Sequence, residues 1–262
     1  MLSELFTHLT TSCPQYVRHM DYLSETIAMR QRYRRNRASW QPHLERSRRF
    51  VLDAAGRCTN RSRAVILGAG LLLDVPLAEL SAMFREVVLL DIVLLPEVRR
   101  TIKKYGNVNF IRNDVTNMAE KLYNDIRRGV REFPNAATGI DLAEDAGLVV
   151  SLNILSQLWV VPRAYALRKL PRIDEEQLDD WCRQIVESHY AFLRTLPCPV
   201  CLVADHEFVK RDRGGRIISR GSTIAGLPLP VPQESWTWVI APMGEDSRFF
   251  SKELNVGAWH LQ

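Results

Sequence analysis

The chain has 262 residues, of which 46% are apolar and 25% charged, the balance of a globular protein rather than a disordered or fibrous one. That length suits one large domain, or a core domain with a helical addition, and no apolar run approaches the roughly 20 residues a membrane helix needs. The formal net charge of +5 is modest but uneven: eight arginines lie between Arg30 and Arg49, while Asp174–Asp180 is acidic.

Residues 14–56 predict two helices. Tyr16, His19, Met20, Leu23, Ile27 and Arg30 recur at three- and four-residue steps, and a second helix is expected from Pro42 to Gly56. The arginine-rich segment between them, with Tyr33 and Trp40, reads as a solvated helix face or as a basic patch for RNA. No membrane partner is expected. Met1–His8 lacks a basic start followed by an apolar stretch, so a cytoplasmic location is expected. The five cysteines, at 13, 58, 182, 198 and 201, are odd in number and irregularly spaced, as in a reducing compartment. Cys198-Pro-Val-Cys201 has no second pair to complete four zinc ligands and reads as apolar filling at a strand start; no metal is expected.

From residue 64 the pattern alternates. Strands are predicted over 64–67, 87–91, 108–114, 148–154 and 200–205, with helices over 76–84, 96–104, 117–130 and 175–196. Trp159 and Pro162 fall in a linking segment. In the longest helix Leu178, Trp181, Cys182, Ile185, Phe192 and Leu196 form the buried stripe, and His189 falls in it as a core histidine. Arg211–Ile218 reads as an inserted hairpin. The final two strands, 236–241 and 253–260, leave no room for a crossover helix, so they are expected to be antiparallel. The fold class is therefore α/β, a doubly wound, mostly parallel seven-stranded sheet with an antiparallel last strand and an N-terminal helical extension over residues 1–62.

The chemistry centres on Arg63-Ala-Val-Ile-Leu-Gly-Ala-Gly-Leu-Leu-Leu73. This is an apolar strand that stops at two glycines, with Asp74 and Pro76 as helix-start chemistry. Gly68 and Gly70 remove side chains where a backbone must approach a ligand. A dinucleotide fold would place a third glycine where Leu73 stands, and it would not end in an antiparallel pair.

With these elements placed, residues 63–261 resemble the class I, Rossmann-like S-adenosylmethionine-dependent methyltransferases. Gly68-Ala69-Gly70 stands at the family's glycine motif, Asp91 ends the second strand where the family's acid binds ribose hydroxyls, and Asp114 follows the third, where a polar residue meets the adenine amine. The resemblance implies S-adenosyl-L-methionine as cofactor, held by Gly68, Ala69, Gly70, Asp91, Ile92, Asn113, Asp114, Val115, Leu152 and Asn153. Two positions depart from the pattern. Ile66 replaces the acid that orders the methionine amino group, and Leu72 replaces a third glycine.

Acceptor-facing candidates lie at the carboxyl edge of the sheet: Asn153, Ser156, Gln157 and Trp159 after the fourth strand, Asp205, His206 and Glu207 after the fifth. Asn153, Asp205 and His206 are the catalytic candidates. Helix capping is the structural alternative for Ser156 and Gln157, and a solvated strand end for 205–207. The N-terminal helices are expected as a lid, with Tyr16, His19, Tyr22 and arginines such as Arg30 or Arg34 closing over a small, anionic acceptor. Three functions stay open: a small-molecule methyltransferase, an RNA or protein methyltransferase using the 30–49 segment, and a non-catalytic binding module on the same fold.

Overall fold

The computed structural model describes residues 2–139, 146–170 and 172–261. Four short apolar runs form parallel strands: β1 (Arg63–Leu67), β2 (Glu86–Asp91), β3 (Val108–Arg112) and β4 (Ala146–Leu152). The fifth, β5 (Val200–Asp212), lies parallel to β4. β7 (Glu234–Ala241) and β8 (Phe250–Leu261) form the expected antiparallel pair, and β8 inserts between β5 and β7, giving the order β3-β2-β1-β4-β5-β8-β7. Among the described residues the sheet has eight strands rather than seven. The inserted hairpin lengthens β5 to 13 residues and adds β6 (Ile217–Ser222), which pairs antiparallel with the extension.

Alternation along the strands divides the core into two layers. Ala64, Ile66, Val87, Leu89, Leu148 and Val150 face α4 (Arg37–Arg57), α5 (Leu77–Met83) and α6 (Pro96–Ile102). Val65, Leu67, Val88, Leu90 and Val149 face α7 (Ala119–Arg127), α8 (Val160–Lys169) and α9 (Glu175–Thr195). Cys198 and Cys201 are buried in this core, as their reading as apolar filling required. His189 is the core histidine expected. Its Nε2 meets Ser151 Oγ at 3.0 Å, Nδ1 has no partner among the described residues, and burial pushes its pKa down to about 4. Phe192, expected in the same stripe, is only half-buried, and Leu193 takes the buried position.

Three boundaries differ from expectation. Residues 14–56 form three helices, not two: α2 (Gln15–His19), α3 (Tyr22–Arg35) and α4, preceded by α1 (Leu2–Thr10) outside that range. The stripe through Met20, Leu23, Ile27 and Arg30 is buried as its spacing requires, but Asp21 takes a left-handed φ of 75° and breaks the helix between α2 and α3. α4 begins at Arg37 and carries Pro42 inside it rather than at its start. The Trp159–Pro162 segment opens α8, where a proline in the first turn costs no hydrogen bond.

α4 lies on the sheet. Trp40 Nε1 donates to Ile240 O at 3.0 Å, and its ring meets Trp238 edge-on at 4.9 Å between centroids. The arginine-rich segment is spent on similar ties. Arg30 pairs with Glu97 at 2.7 Å, Arg32 with Asp246 at 2.8 Å and Arg35 with Glu245 at 2.5 Å. Arg48 bonds Leu73 O, and Arg49 pairs with Glu234 at 2.9 Å. These contacts strap α3 and α4 across the sheet. No described helix is long and apolar enough to cross a membrane.

Candidate active site

Parallel strands end together, so the loops after β1, β2, β3 and β4 meet at one edge of the sheet, beside the extension of β5. There they enclose a cavity of about 540 Å³, within the range of ligand sites. All ten expected cofactor residues line it: Gly68, Ala69, Gly70, Asp91, Ile92, Asn113, Asp114, Val115, Leu152 and Asn153. So do Asp205, Tyr22, Ser156, Gln157 and Trp159.

The glycine turn is built for close approach. Gly68 has φ 79°, and a Cβ there would stand 2.8 Å from Ile154 Cβ and 3.1 Å from Leu152 O. Gly68→Ala is therefore expected to cost about 2 kcal/mol through left-handed strain and collision with β4, read as a lower urea midpoint at unchanged slope. Gly70 differs: a Cβ there would meet nothing nearer than Gly68 O at 3.8 Å, so this side of the turn opens on the cavity. Leu72, at the missing third glycine, keeps a glycine-like φ of 60°. The substitution costs about 1 kcal/mol of strain but leaves the path of the turn intact. Ile66 is fully buried in the layer beneath α4, away from the cavity.

Asp91 holds the turn from the neighbouring strand. Oδ2 accepts from Gly70 N at 2.8 Å and Oδ1 from Val93 N at 3.0 Å. Burial pushes its carboxyl above the usual carboxylate range, against these backbone bonds. Asp114 is committed differently. Oδ1 accepts from Thr116 N at 3.0 Å and Thr116 Oγ1 at 2.6 Å; Oδ2 accepts from Met118 N at 3.0 Å and Ala119 N at 2.7 Å. Four donors fill the roughly four lone-pair sites of a carboxylate, so Asp114 spends its side chain on starting α7.

Asn153 sits in a left-handed conformation, φ 51°, at the end of β4. Its Nδ2 donates to Asp74 Oδ2 at 2.6 Å, and it accepts at its backbone carbonyl from Gln157 Nε2 at 2.8 Å. Asp74, expected to serve the start of α5, instead faces the cavity. Pro76 occupies the position before that helix, with no side-chain cap. Burial raises the Asp74 carboxyl, while the Asn153 bond works the other way. Behind Asn153 lies His43, stacked on Trp238 at 4.0 Å. Trp236 Nε1 donates to His43 Nδ1 at 3.0 Å, and an indole only donates, so the His43 proton sits on Nε2; Asn153 Nδ2, 3.4 Å away, is itself a donor, and the two are in contact without a hydrogen bond. Burial pushes its pKa down to about 3.

His43 and His189 thus stay neutral in the folded chain, whereas unfolded histidines protonate near pH 6.5. Depressed folded-state values mean stability falls as pH drops below that range. Between pH 7 and 6 the two should remove about 1–2 kcal/mol, measurable as a lower urea midpoint.

Two expected site residues stay outside. His206, next to Asp205 on β5, takes the opposite face of the sheet by strand alternation, edge-on to Trp259 at 6.4 Å, and the bulge between Asp205 and Glu207 brings Phe208 rather than Glu207 to the cavity side. Arg34 is exposed on the outer side of α3. Nor do Glu207, Tyr16, His19 and Arg30 line the cavity. Glu207 pairs with Arg220 at 2.5 Å, and His19 Nδ1 meets Tyr123 Oη at 2.7 Å. Ser156 caps no helix: its Oγ donates to Asp205 Oδ1 at 2.6 Å, and burial raises that carboxyl.

Residues that sequence reasoning passed over complete the walls. α3 adds Glu25, Thr26 and Met29 beside Tyr22, α4 adds Trp40, His43 and Leu44, and β5, β7 and β8 add Phe208, Trp238, Ile240, Lys252 and Leu254. Their spacing was a usable signal. Tyr22, Thr26 and Met29 fall on one helical face, while Trp238/Ile240 and Lys252/Leu254 alternate along strands. Among the described residues no cluster of three or more His, Cys, Asp or Glu could hold a metal.

This sheet order, with a reversed strand between β5 and β7 and a glycine turn after β1, is the class I S-adenosylmethionine-dependent methyltransferase fold. No protein-family model and no curated protein matches the chain in sequence. Among solved structures it is similar to the 1,6-didemethyltoxoflavin-N1-methyltransferase of Burkholderia thailandensis, bound to 1,6-didemethyltoxoflavin and S-adenosylhomocysteine. That match has 12% identity and a TM-score of 0.41, over 94% of this chain and 92% of the other. A methyltransferase of Leishmania major is similar at 16% identity and TM-score 0.33, over 82% and 71% of the two chains. The 23S rRNA methyltransferase ErmE is similar at 12% and 0.26, over 81% and 69%. The fold assignment rests on the strand order, not on these superpositions.

Proposed function

We propose that the chain is an S-adenosylmethionine-dependent methyltransferase with a small-molecule acceptor. The observation that carries this reading is the meeting of the Gly68–Gly70 turn, Asp91 and Asn153 on one cavity at the carboxyl edge of the sheet. The residues fit the cofactor. Each Asp91 oxygen accepts one backbone N–H and keeps a lone pair for a ribose hydroxyl, and Gly70 leaves the adjoining space clear. With the Asp114 side chain filled, the adenine edge falls to Asn113 and the backbone of Val115. Asp74 stands in for the acid missing at Ile66 and meets the methionine ammonium.

When bound, S-adenosylmethionine supplies a methyl carbon on a cationic sulfur, which an acceptor lone pair displaces in line. The chain's own work is then alignment and exclusion of water. Residues 1–62 serve as the roof, through Tyr22, Thr26 and Met29 of α3, and residues 63–262 as the methyltransferase domain. Asp205, with its carboxyl raised by burial and oriented by Ser156, is placed to take a proton from an acceptor hydroxyl.

An RNA acceptor has less support, because six of the eight arginines that suggested it bind the chain's own carboxylates and carbonyls, while Arg34 and Arg37 are exposed. Isothermal titration with S-adenosylmethionine and S-adenosylhomocysteine tests the reading. Saturable binding of both is expected, and absence of binding by either ends it.

A further inference from the structure

The cavity continues past the cofactor residues toward the extension of β5, and its far end has a distinct chemistry. Phe208 and Leu254 pair across β5 and β8 and share one face of the sheet with Trp238 of β7. Lys252 follows two residues from Leu254 on the same face, half-buried, with its Nζ 5.7 Å from the centre of the Phe208 ring. Among the described residues Lys252 makes no ion pair, although the chain ties most nearby cations. The two carboxylates whose charge reaches it are engaged elsewhere. Asp246 pairs with Arg32 at 2.8 Å, and Asp205 accepts from Ser156 at 2.6 Å. An ammonium taken partly out of water, without a counter-charge, on the wall of an otherwise aromatic and aliphatic chamber, is matched by a ligand that brings the counter-charge.

We infer that Lys252 is a specificity residue for an acceptor that is flat, mostly apolar and acidic: an aromatic carboxylate whose ring lies along Phe208 and Trp238 and whose carboxylate meets Nζ. This rests on the methyltransferase reading for the word acceptor, but the acid site itself is independent of cofactor binding. Burial also holds the Lys252 pKa below the usual lysine range, and a bound carboxylate reverses that cost. The cation sought for an anionic acceptor is thus supplied by β8 rather than by Arg34.

The test uses 1-naphthoate and its uncharged analogue 1-naphthamide as probes, titrated into the full chain with and without saturating S-adenosylhomocysteine. The wild type should bind the acid about tenfold or more tightly than the amide. Lys252→Met should abolish that preference while leaving amide binding and the S-adenosylhomocysteine affinity unchanged. Lys252→Arg should retain the preference, and Lys210→Met, removing a neighbouring lysine, should leave it intact. Equal binding of acid and amide by the wild type, no binding of either, or a preference that survives Lys252→Met overturns the proposal. A preference that depends on Lys252 in a chain that binds no S-adenosylhomocysteine upholds the acid site and removes the methyltransferase reading instead.

Discussion

Asp91→Ala is expected to weaken S-adenosylhomocysteine binding by about a hundredfold or more, measured by isothermal titration at neutral pH. Two hydroxyl bonds to a carboxylate, each about 1.5–3 kcal/mol, are lost together. The same change releases the N–H groups of Gly70 and Val93 from their 2.8 Å and 3.0 Å bonds. The turn then loses its anchor as well as its ligand partner, and the urea midpoint should fall by about 1–2 kcal/mol. Asp91→Asn separates the two effects. An amide still offers one acceptor oxygen, so it should keep part of the turn's stability yet lose most of the affinity. If the alanine variant binds as tightly as the wild type, the diol does not sit at the end of β2 and the proposed cofactor pose is wrong. Acidification has a predictable sign. Burial already raises the Asp91 carboxyl, so protonation on lowering the pH through the carboxylate range removes the acceptor and should weaken binding in the wild type.

What the sequence disclosed, it disclosed where the local physics was unambiguous. Runs such as Ala64–Leu67 and Val87–Leu90 are apolar on both faces because helices cover both faces, and such runs read directly as central parallel strands. Residues at strand ends followed from that, which is why all the expected cofactor positions reach the cavity. The failures are at positions where one backbone residue decides orientation. The bulge between Asp205 and Glu207 sends Phe208 rather than Glu207 to the cavity side, and the left-handed Asp21 divides a helix whose stripe is otherwise continuous. The arginines between Arg30 and Arg49 were ambiguous for another reason. Their partners, Glu97, Glu234, Glu245 and Asp246, lie 67 to 214 residues or so away in sequence, and no local pattern pairs them. Asp74 was misread because an acid two residues before a proline is ordinary helix-start chemistry; only the packing of β1 against β4 brings it to Asn153.

In the proposed cofactor pose that displaced acid makes good the one missing at Ile66. Asp74 is half-buried at the cavity wall, and its Oδ2 is 2.6 Å from Asn153 Nδ2. Its nearest cationic influence is Arg48, whose guanidinium is spent on the carbonyl of Leu73, so burial prevails and the carboxyl is raised. An ammonium arriving beside it restores the balance, and a ligand without one does not. Asp74→Asn should therefore weaken S-adenosylhomocysteine by roughly tenfold to a hundredfold and leave 5′-methylthioadenosine, which lacks the amino-acid portion, unchanged. A proton signature accompanies this. Binding the cation lowers a raised carboxyl pKa, so the wild type should release protons on binding S-adenosylhomocysteine in the carboxylate pH range, seen as a heat that varies with buffer ionisation. The asparagine variant should lose that release. Equal losses for both ligands would mean that Asp74 only shapes the end of the glycine loop through Asn153, and that the methionine ammonium is left to the other acids of the wall, Glu25, Asp91, Asp114 and Asp205.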